Sequence, residues 1–220
     1  MTVTNPKTLV HQLSREADSL FAQGLYREAE EPYRRALTLA ETNFGSAHVE
    51  VATVLNNLAV IYKYLGRFVE AGPLYQRALA ITEKAFGPDH AEVATIYHNL
   101  GGLEHSAGNY LPGEPFARRS VEIRERALGP DHPDTAADVA ALAALLDGQG
   151  KYDEAETLYR RALAVFERVY GPEHYEIAVN LNNLAALCHA QDRNDEAESL
   201  YLKAVAIKER LLGENHPTSP

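Results

Sequence analysis

The chain of 220 residues contains a single cysteine, Cys188. One thiol can form no intrachain disulfide and builds no Cys-based metal site. No stretch reaches the ~20 consecutive apolar residues of a membrane span. Residues 1–6 are short and polar, without the basic-then-apolar pattern of a secretory signal. Positive charge is the minority: 21 Lys and Arg stand against 31 Asp and Glu, a formal net charge of −10. That balance argues against general binding to nucleic acid or acidic membranes, while leaving room for a local basic groove. There is no Gly-Lys-Ser/Thr phosphate loop, and no Ser–His–Asp or Cys–His set can be assembled from neighbouring positions with any specificity. The expectation is a cytoplasmic protein without catalytic residues, cofactor or metal. Hydrophobic residues at 45% and charged residues at 24% place it among folded chains, not disordered ones.

What the chain does have is repetition. Gly24, Gly66, Gly108 and Gly150 lie 42 residues apart, and Asp192 takes the next slot. Gly45, Gly87, Gly129, Gly171 and Gly213 form a second column, and His48, His90, His132, His174 and His216 a third. Self-similarity at a fixed period across a whole chain signals a stacked repeat array. Such arrays mostly offer extended surfaces to partners. The spacing predicts a short N-terminal tail over 1–6 and repeats over 7–48, 49–90, 91–132, 133–174 and 175–216. Residues 217–220 then form a short C-terminal tail.

Residues 49–90 show the content of one period. Val51, Ala52, Leu55, Leu58, Ala59 and Tyr62 recur at helical spacing and predict a helix A over 49–64. Gly66 breaks it at the position where a left-handed residue is cheapest for glycine. Phe68, Ala71, Leu74, Tyr75, Ala78, Leu79 and Ile81 predict a helix B over 68–85, with Pro73 in its first turns, where a missing N–H costs little. Gly87-Pro88-Asp89-His90 is the loop to the next period, and Glu92, like Glu50, Asp134 and Glu176, opens the following helix at the favourable end of its dipole. Ala29, Ala36, Ala71, Ala78, Ala155, Ala162, Ala197 and Ala204 allow close helix approach, and Tyr33, Tyr75, Tyr159 and Tyr201 fill the space beside them. One helix pair cannot bury both stripes alone, but stacked neighbours can.

Leu55-x-x-Leu58-Ala59-x-x-Tyr62, followed by Gly66, Ala71, Tyr75 and Ala78, resembles the tetratricopeptide repeat. The 42-residue period, Leu55-Asn56-Asn57-Leu58-Ala59, Leu158-Tyr159-Arg160-Arg161-Ala162-Leu163 and Gly87-Pro88-Asp89-His90 are similar to the repeats of kinesin light chain and its bacterial relatives. The resemblance covers nearly the whole chain. It implies an all-α, right-handed superhelical solenoid of about ten antiparallel helices, with helices A on the inner face and helices B on the outer. It does not imply kinesin transport. Repeat 1 departs by carrying Glu16 in the Leu58 column. Repeat 3 departs with Gly101-Gly102 in helix A, Glu104 in the Tyr62 column and Pro112-Gly113-x-Pro115 opening helix B. Two readings of repeat 3 follow: a hinge, or drift that its neighbours tolerate.

The resemblance also implies that a peptide or protein partner lies along the inner face of the A helices. Matched to the motif, repeat 2 presents Thr53, Asn56, Val60, Lys63 and Tyr64, and repeat 3 presents Thr95, His98, Gly102 and His105. Repeat 4 presents Ala137, Ala140, Ala144 and Asp147. Repeat 5 presents Val179, Asn182, Ala186 and His189, and Arg15 sits near the groove end. An asparagine amide both donates and accepts, so it can bind peptide backbone without selecting a side chain. Asn56 and Asn182 are the foremost candidates. Asn57, Asn99 and Asn183 share a column that serves equally for a structural bond between helices. Ala136 to Ala144 forms either a shallow pocket or simply a well-packed helix. Lys63 and Arg15 attract acidic ligands, and Asp147 opposes them.

The histidine column is not a metal site. Equivalent atoms of successive repeats lie on the order of 10 Å apart, whereas a zinc ligand sits about 2 Å from the metal. The reading for each loop histidine is support of the turn and the next helix start. Cys188 falls in the inward Tyr62 column as a buried, inert thiol. Asn215-His216-Pro217 resembles Asp131-His132-Pro133, the start of a repeat. Either the sequence is a piece of a longer protein, or the last helix leaves Leu200, Leu202, Val205, Ile207 and Leu211 exposed and associates end to end or symmetrically. Besides the scaffold reading, a sensor segment of a larger signalling protein, fused to a nucleotide-switch or protease-like domain, stays open.

Overall fold

The computed structural model describes residues 5–212. Within them ten helices follow one another and no strand occurs: α1 (Pro6–Ala22), α2 (Tyr26–Phe44), α3 (Val49–Tyr64), α4 (Phe68–Phe86), α5 (Ala91–Ser106), α6 (Tyr110–Leu128), α7 (Pro133–Gly148), α8 (Tyr152–Tyr170), α9 (Tyr175–Ala190) and α10 (Asn194–Leu212). Helices A and B of repeat 2 fall where periodicity put them, B running one residue further to Phe86. Gly66 ends the first of them at φ +72, and Asp192, alone among the described non-glycine residues, takes the same left-handed turn at φ 60. Aspartate is one of the few side chains that tolerate this region. Gly101 and Gly102 do not interrupt α5, nor do Pro112, Gly113 and Pro115 interrupt α6. Gly213, His216 and the C-terminal tail lie outside the described residues.

The loop histidines support the next helix as expected, and the mechanism is explicit. The Nδ1 atoms of His48, His90, His132 and His174 accept the backbone N–H of Glu50, Glu92, Asp134 and Glu176 at 3.1–3.3 Å. Each histidine is therefore an N-cap, satisfying one of the donors a helix start leaves open. Phe44, Phe86 and Tyr170, at the ends of the preceding B helices, lie against the rings of His48, His90 and His174 with centroids 4.0–5.1 Å apart.

The chain divides into two compact units, 1–107 and 108–220, so the boundary falls in the turn inside repeat 3. In the first unit, α3 buries Val51, Leu55, Leu58, Ala59 and Tyr62 against its neighbours. Ala29, Ala36, Ala71 and Ala78 are fully buried, with Tyr33 and Tyr75 packed into the space they leave. The A helices α3 and α5 touch each other directly, which identifies their side as the inner one. Glu30 ties repeat 1 to repeat 2: it accepts from Arg67 at 2.6 Å and from the Tyr62 hydroxyl at 3.1 Å. Gln12, Glu16 and Ser19 of α1 are exposed in the columns that hold Val54, Leu58 and Ile61 in α3, which are at most 2% exposed. Among the described residues Glu16 therefore lies on an exposed polar face of α1.

In the second unit, Ala162, Val165, Phe166, Ile177, Leu181 and Ile207 form one core cluster, and Leu142, Leu145, Leu146, Tyr159, Leu184 and Leu187 another. The A helices α7 and α9 again touch. Glu114 accepts from Lys151 at 2.9 Å, and Glu156 from Arg193 at 2.6 Å, repeating the Glu30–Arg67 link. Arg124 of α6 and Asp138 of α7 make a buried ion pair at 2.9 Å. Asn180 occupies the Asp138 column one repeat later. It is 1% exposed, and neither atom of its amide has a hydrogen-bond partner among the described residues. Cys188 is fully buried, and burial raises its thiol above the usual range.

Candidate peptide-binding face

In the first unit, most of the candidates gather into two groups along the inner side of α3 and α5. The first is an amide chain. Asn99 Nδ2 donates to Asn56 Oδ1 at 2.8 Å, and Asn56 Nδ2 donates to Asn57 Oδ1 at 3.1 Å. The chain crosses from α3 to α5, so Asn56 and Asn99 join helices. Asn56 is more committed to the scaffold than its position in the motif indicated, although it remains half-buried and within reach of the face.

The second group surrounds Lys63. Its ammonium lies 5.4 Å from the centroid of the Tyr64 ring and faces Gly102, where a Cβ would come within 3.6 Å of Nζ. No carboxylate pairs with it among the described residues. Burial lowers its pKa, and burial together with Lys63 lowers that of His105, one turn beyond Gly102. Tyr64, 53% exposed, also packs on Phe21 and Tyr26 with centroids 4.9 and 5.1 Å away. This aromatic trio was missed in the sequence: Phe21 and Tyr26 belong to repeat 1, and only the packing of α1 and α2 against α3 joins them. Val60, Thr95 and His98 are half-buried and Thr53 is exposed, the two threonines bonding back to their own helices. Arg15 is not gathered into either group. It shares a shallow surface of α1 with Lys7, His11 and Gln12.

In the second unit the corresponding face is less polar. Ala140 and Ala144 are half-buried against the core clusters, as closely packed helix formers. Asn182 and Asn183 are half-buried with no hydrogen bond among the described residues, and Ala186 is exposed. His189 bonds Asn194 Oδ1 at 2.9 Å, across the turn from α9 to α10. Asp147 has no ion-pair partner among the described residues, and burial raises its pKa.

The family model for the tetratricopeptide repeat matches residues 12–71, 50–112, 103–167 and 136–210. The chain is a tetratricopeptide-repeat protein. Among solved structures, BtubC (BKLC) from P. vanneervenii is 25% identical to this repeat protein, with a TM-score of 0.77 over 97% of this chain and 84% of that one. A putative kinesin light chain of Podosopora anserina with nearly identical TPR-like repeats is 22% identical, with a TM-score of 0.74 over 95% and 99%. A signal transduction ATPase with numerous domains and a tetratricopeptide repeat sensor, from Pyrococcus horikoshii, is 16% identical, with a TM-score of 0.71. It covers 90% of this chain but only 29% of its own. No curated protein matches the sequence. The array is thus an all-α solenoid of kinesin-light-chain-like repeats, the class that its 42-residue period implied.

Proposed function

We propose that this tetratricopeptide-repeat protein is a non-catalytic scaffold that holds a peptide or protein partner on the inner face of its A helices, in the cytoplasm. The observation that carries this reading is Lys63. A half-buried ammonium without a counter-ion costs stability, and here it stands on the face where a ligand carboxylate would complete it. Tyr64 beside it offers an exposed ring for an apolar ligand group. Asn182 and Asn183, unpaired among the described residues, add amides able to bind extended backbone in the second unit. No described helix is long and apolar enough to cross a membrane. The sensor reading draws on the Pyrococcus horikoshii structure, whose likeness extends to the fold.

Selection from a random peptide library tests the proposal. Wild type is expected to enrich peptides with an acidic residue. Lys63→Glu should weaken them by roughly tenfold or more, because it replaces an attraction by a repulsion at a partly desolvated site. Absence of enrichment, or enriched peptides that bind Lys63→Glu equally well, would overturn it.

A further inference from the structure

Lys63 has surroundings unlike those of lysines that are paired or open to water. Lys7 meets Glu50 at 2.7 Å and Lys151 meets Glu114 at 2.9 Å, and Lys84 stands exposed on α4. Lys63 is half-buried on the inner side of α3, with no carboxylate paired to it among the described residues. Burial is what lowers its pKa, and His105, lowered by burial and by Lys63, adds a second basic group on α5. Two basic groups without a counter-ion favour each other's neutral form, and the neutral amine is the nucleophilic form. The nitrogen is also within reach from outside. It faces Gly102, whose hydrogen stands where a Cβ would come within 3.6 Å of Nζ, and the Tyr64 ring beside it is largely open to solvent.

From this cluster we infer that Lys63 is a modification site, its Nζ acylated by small acyl phosphates that reach it across Gly102 from the A-helix face. The unprotonated Nζ attacks the acyl carbonyl. A C–N bond forms, the C–O bond to the phosphate breaks, and inorganic phosphate leaves with the bonding pair while the nitrogen's extra proton passes to water. Charge favours this reagent class: no paired carboxylate stands at Lys63 to repel the phosphate, whereas Glu50 and Glu114 stand beside Lys7 and Lys151. The product is a neutral amide, which removes the half-buried charge. It also removes the ammonium that a ligand carboxylate would meet, so acylation closes the inner face to acidic partners. That last consequence rests on the proposed ligand face; the acylation itself does not.

A time course with acetyl phosphate at neutral pH, without any peptide present, tests the inference, the acetylated fraction of each lysine being read by peptide mass spectrometry. Lys63 is expected to react at least about threefold faster than exposed Lys84 and than paired Lys7 and Lys151. Gly102→Asp places a carboxylate beside Nζ and should slow Lys63 by about threefold or more, leaving the other lysines unchanged. Gly102→Ala adds a methyl group without charge and should keep Lys63 ahead of the others. Neither substitution weakens a helix interior relative to glycine, and circular dichroism verifies equal helicity. Lys63 reacting no faster than Lys84 overturns the inference. So does a Lys63 rate that Gly102→Asp leaves unchanged, or one that Gly102→Ala slows as much as Gly102→Asp. Because no ligand takes part, each of these results leaves the peptide-binding reading to its own test.

Discussion

Asn180 gives the sharpest test of the energetics. Its side chain is 1% exposed, lies next to Ile177 and Leu181 on a helix packed with Phe166 and Ile207, and finds no partner for either amide atom among the described residues. A buried polar group without a hydrogen bond costs about 1–3 kcal/mol. Val54 and Ile96 hold the same column in α3 and α5 and are buried there to 2% and 4% exposure, so the repeat accepts a branched apolar side chain at this position. Asn180→Val should therefore stabilise the second unit by about 1–3 kcal/mol. For a chain of this length that corresponds to a rise of roughly 2–12 °C in melting midpoint. Repeat arrays need not unfold all at once, so amide exchange in α9 should be followed with the thermal transition, and its protection should rise in step. The mirror experiment is Asp138→Val, which removes the carboxylate facing buried Arg124 and should cost roughly 3–5 kcal/mol. If Asn180→Val and Asn180→Ile both leave the midpoint unchanged or lower it, the amide is not a source of strain and the reasoning fails.

Two further outcomes are expected. Lys151 is the largest influence holding the Glu114 carboxyl at about 2, and Arg193 does the same for Glu156, against about 4.3 for a free glutamate. Groups depressed in the folded state stabilise it above their unfolded pKa, so melting temperature should fall as pH drops from about 4.5 towards 2; Glu156→Gln should flatten that profile, and an unchanged slope would count against the link. His90→Ala removes the Nδ1 acceptor at the start of α5 and should cost about 1 kcal/mol in urea unfolding, with helix content unchanged; no loss would mean that the cap is dispensable.

The fold was readable because the repeat states it several times. Glycine at a left-handed turn, histidine before a carboxylate and alanine in the close-packed columns have local causes, and each recurs often enough to reveal its role. Glu16 looked like a defect, because a column carries no sign of which of its positions a neighbouring helix covers; among the described residues it lies on an exposed polar face of α1. The inner face was read less completely. Asn56 bonds its neighbour Asn57 and also Asn99 on another helix, and such pairing depends on side-chain rotamers that no spacing encodes. Phe21 and Tyr26 escaped notice for the same reason. Lys63 was named from its column, but its lack of a counter-ion among the described residues is a property of what surrounds it.

The buried pair of Arg124 and Asp138 bears on how such a chain avoids assembling in the wrong order. Repeats of similar sequence invite a helix to dock on the wrong neighbour, one period out of place. If α8 took the seat of α6 beside α7, Phe166 would replace Arg124, and Asp138 would be buried against a phenyl ring with its charge unanswered. The links that Glu30, Glu114 and Glu156 receive from Arg67, Lys151 and Arg193 would accept that exchange without complaint. Serial order is enforced in the core, where one junction speaks a chemical dialect that no other repeat shares.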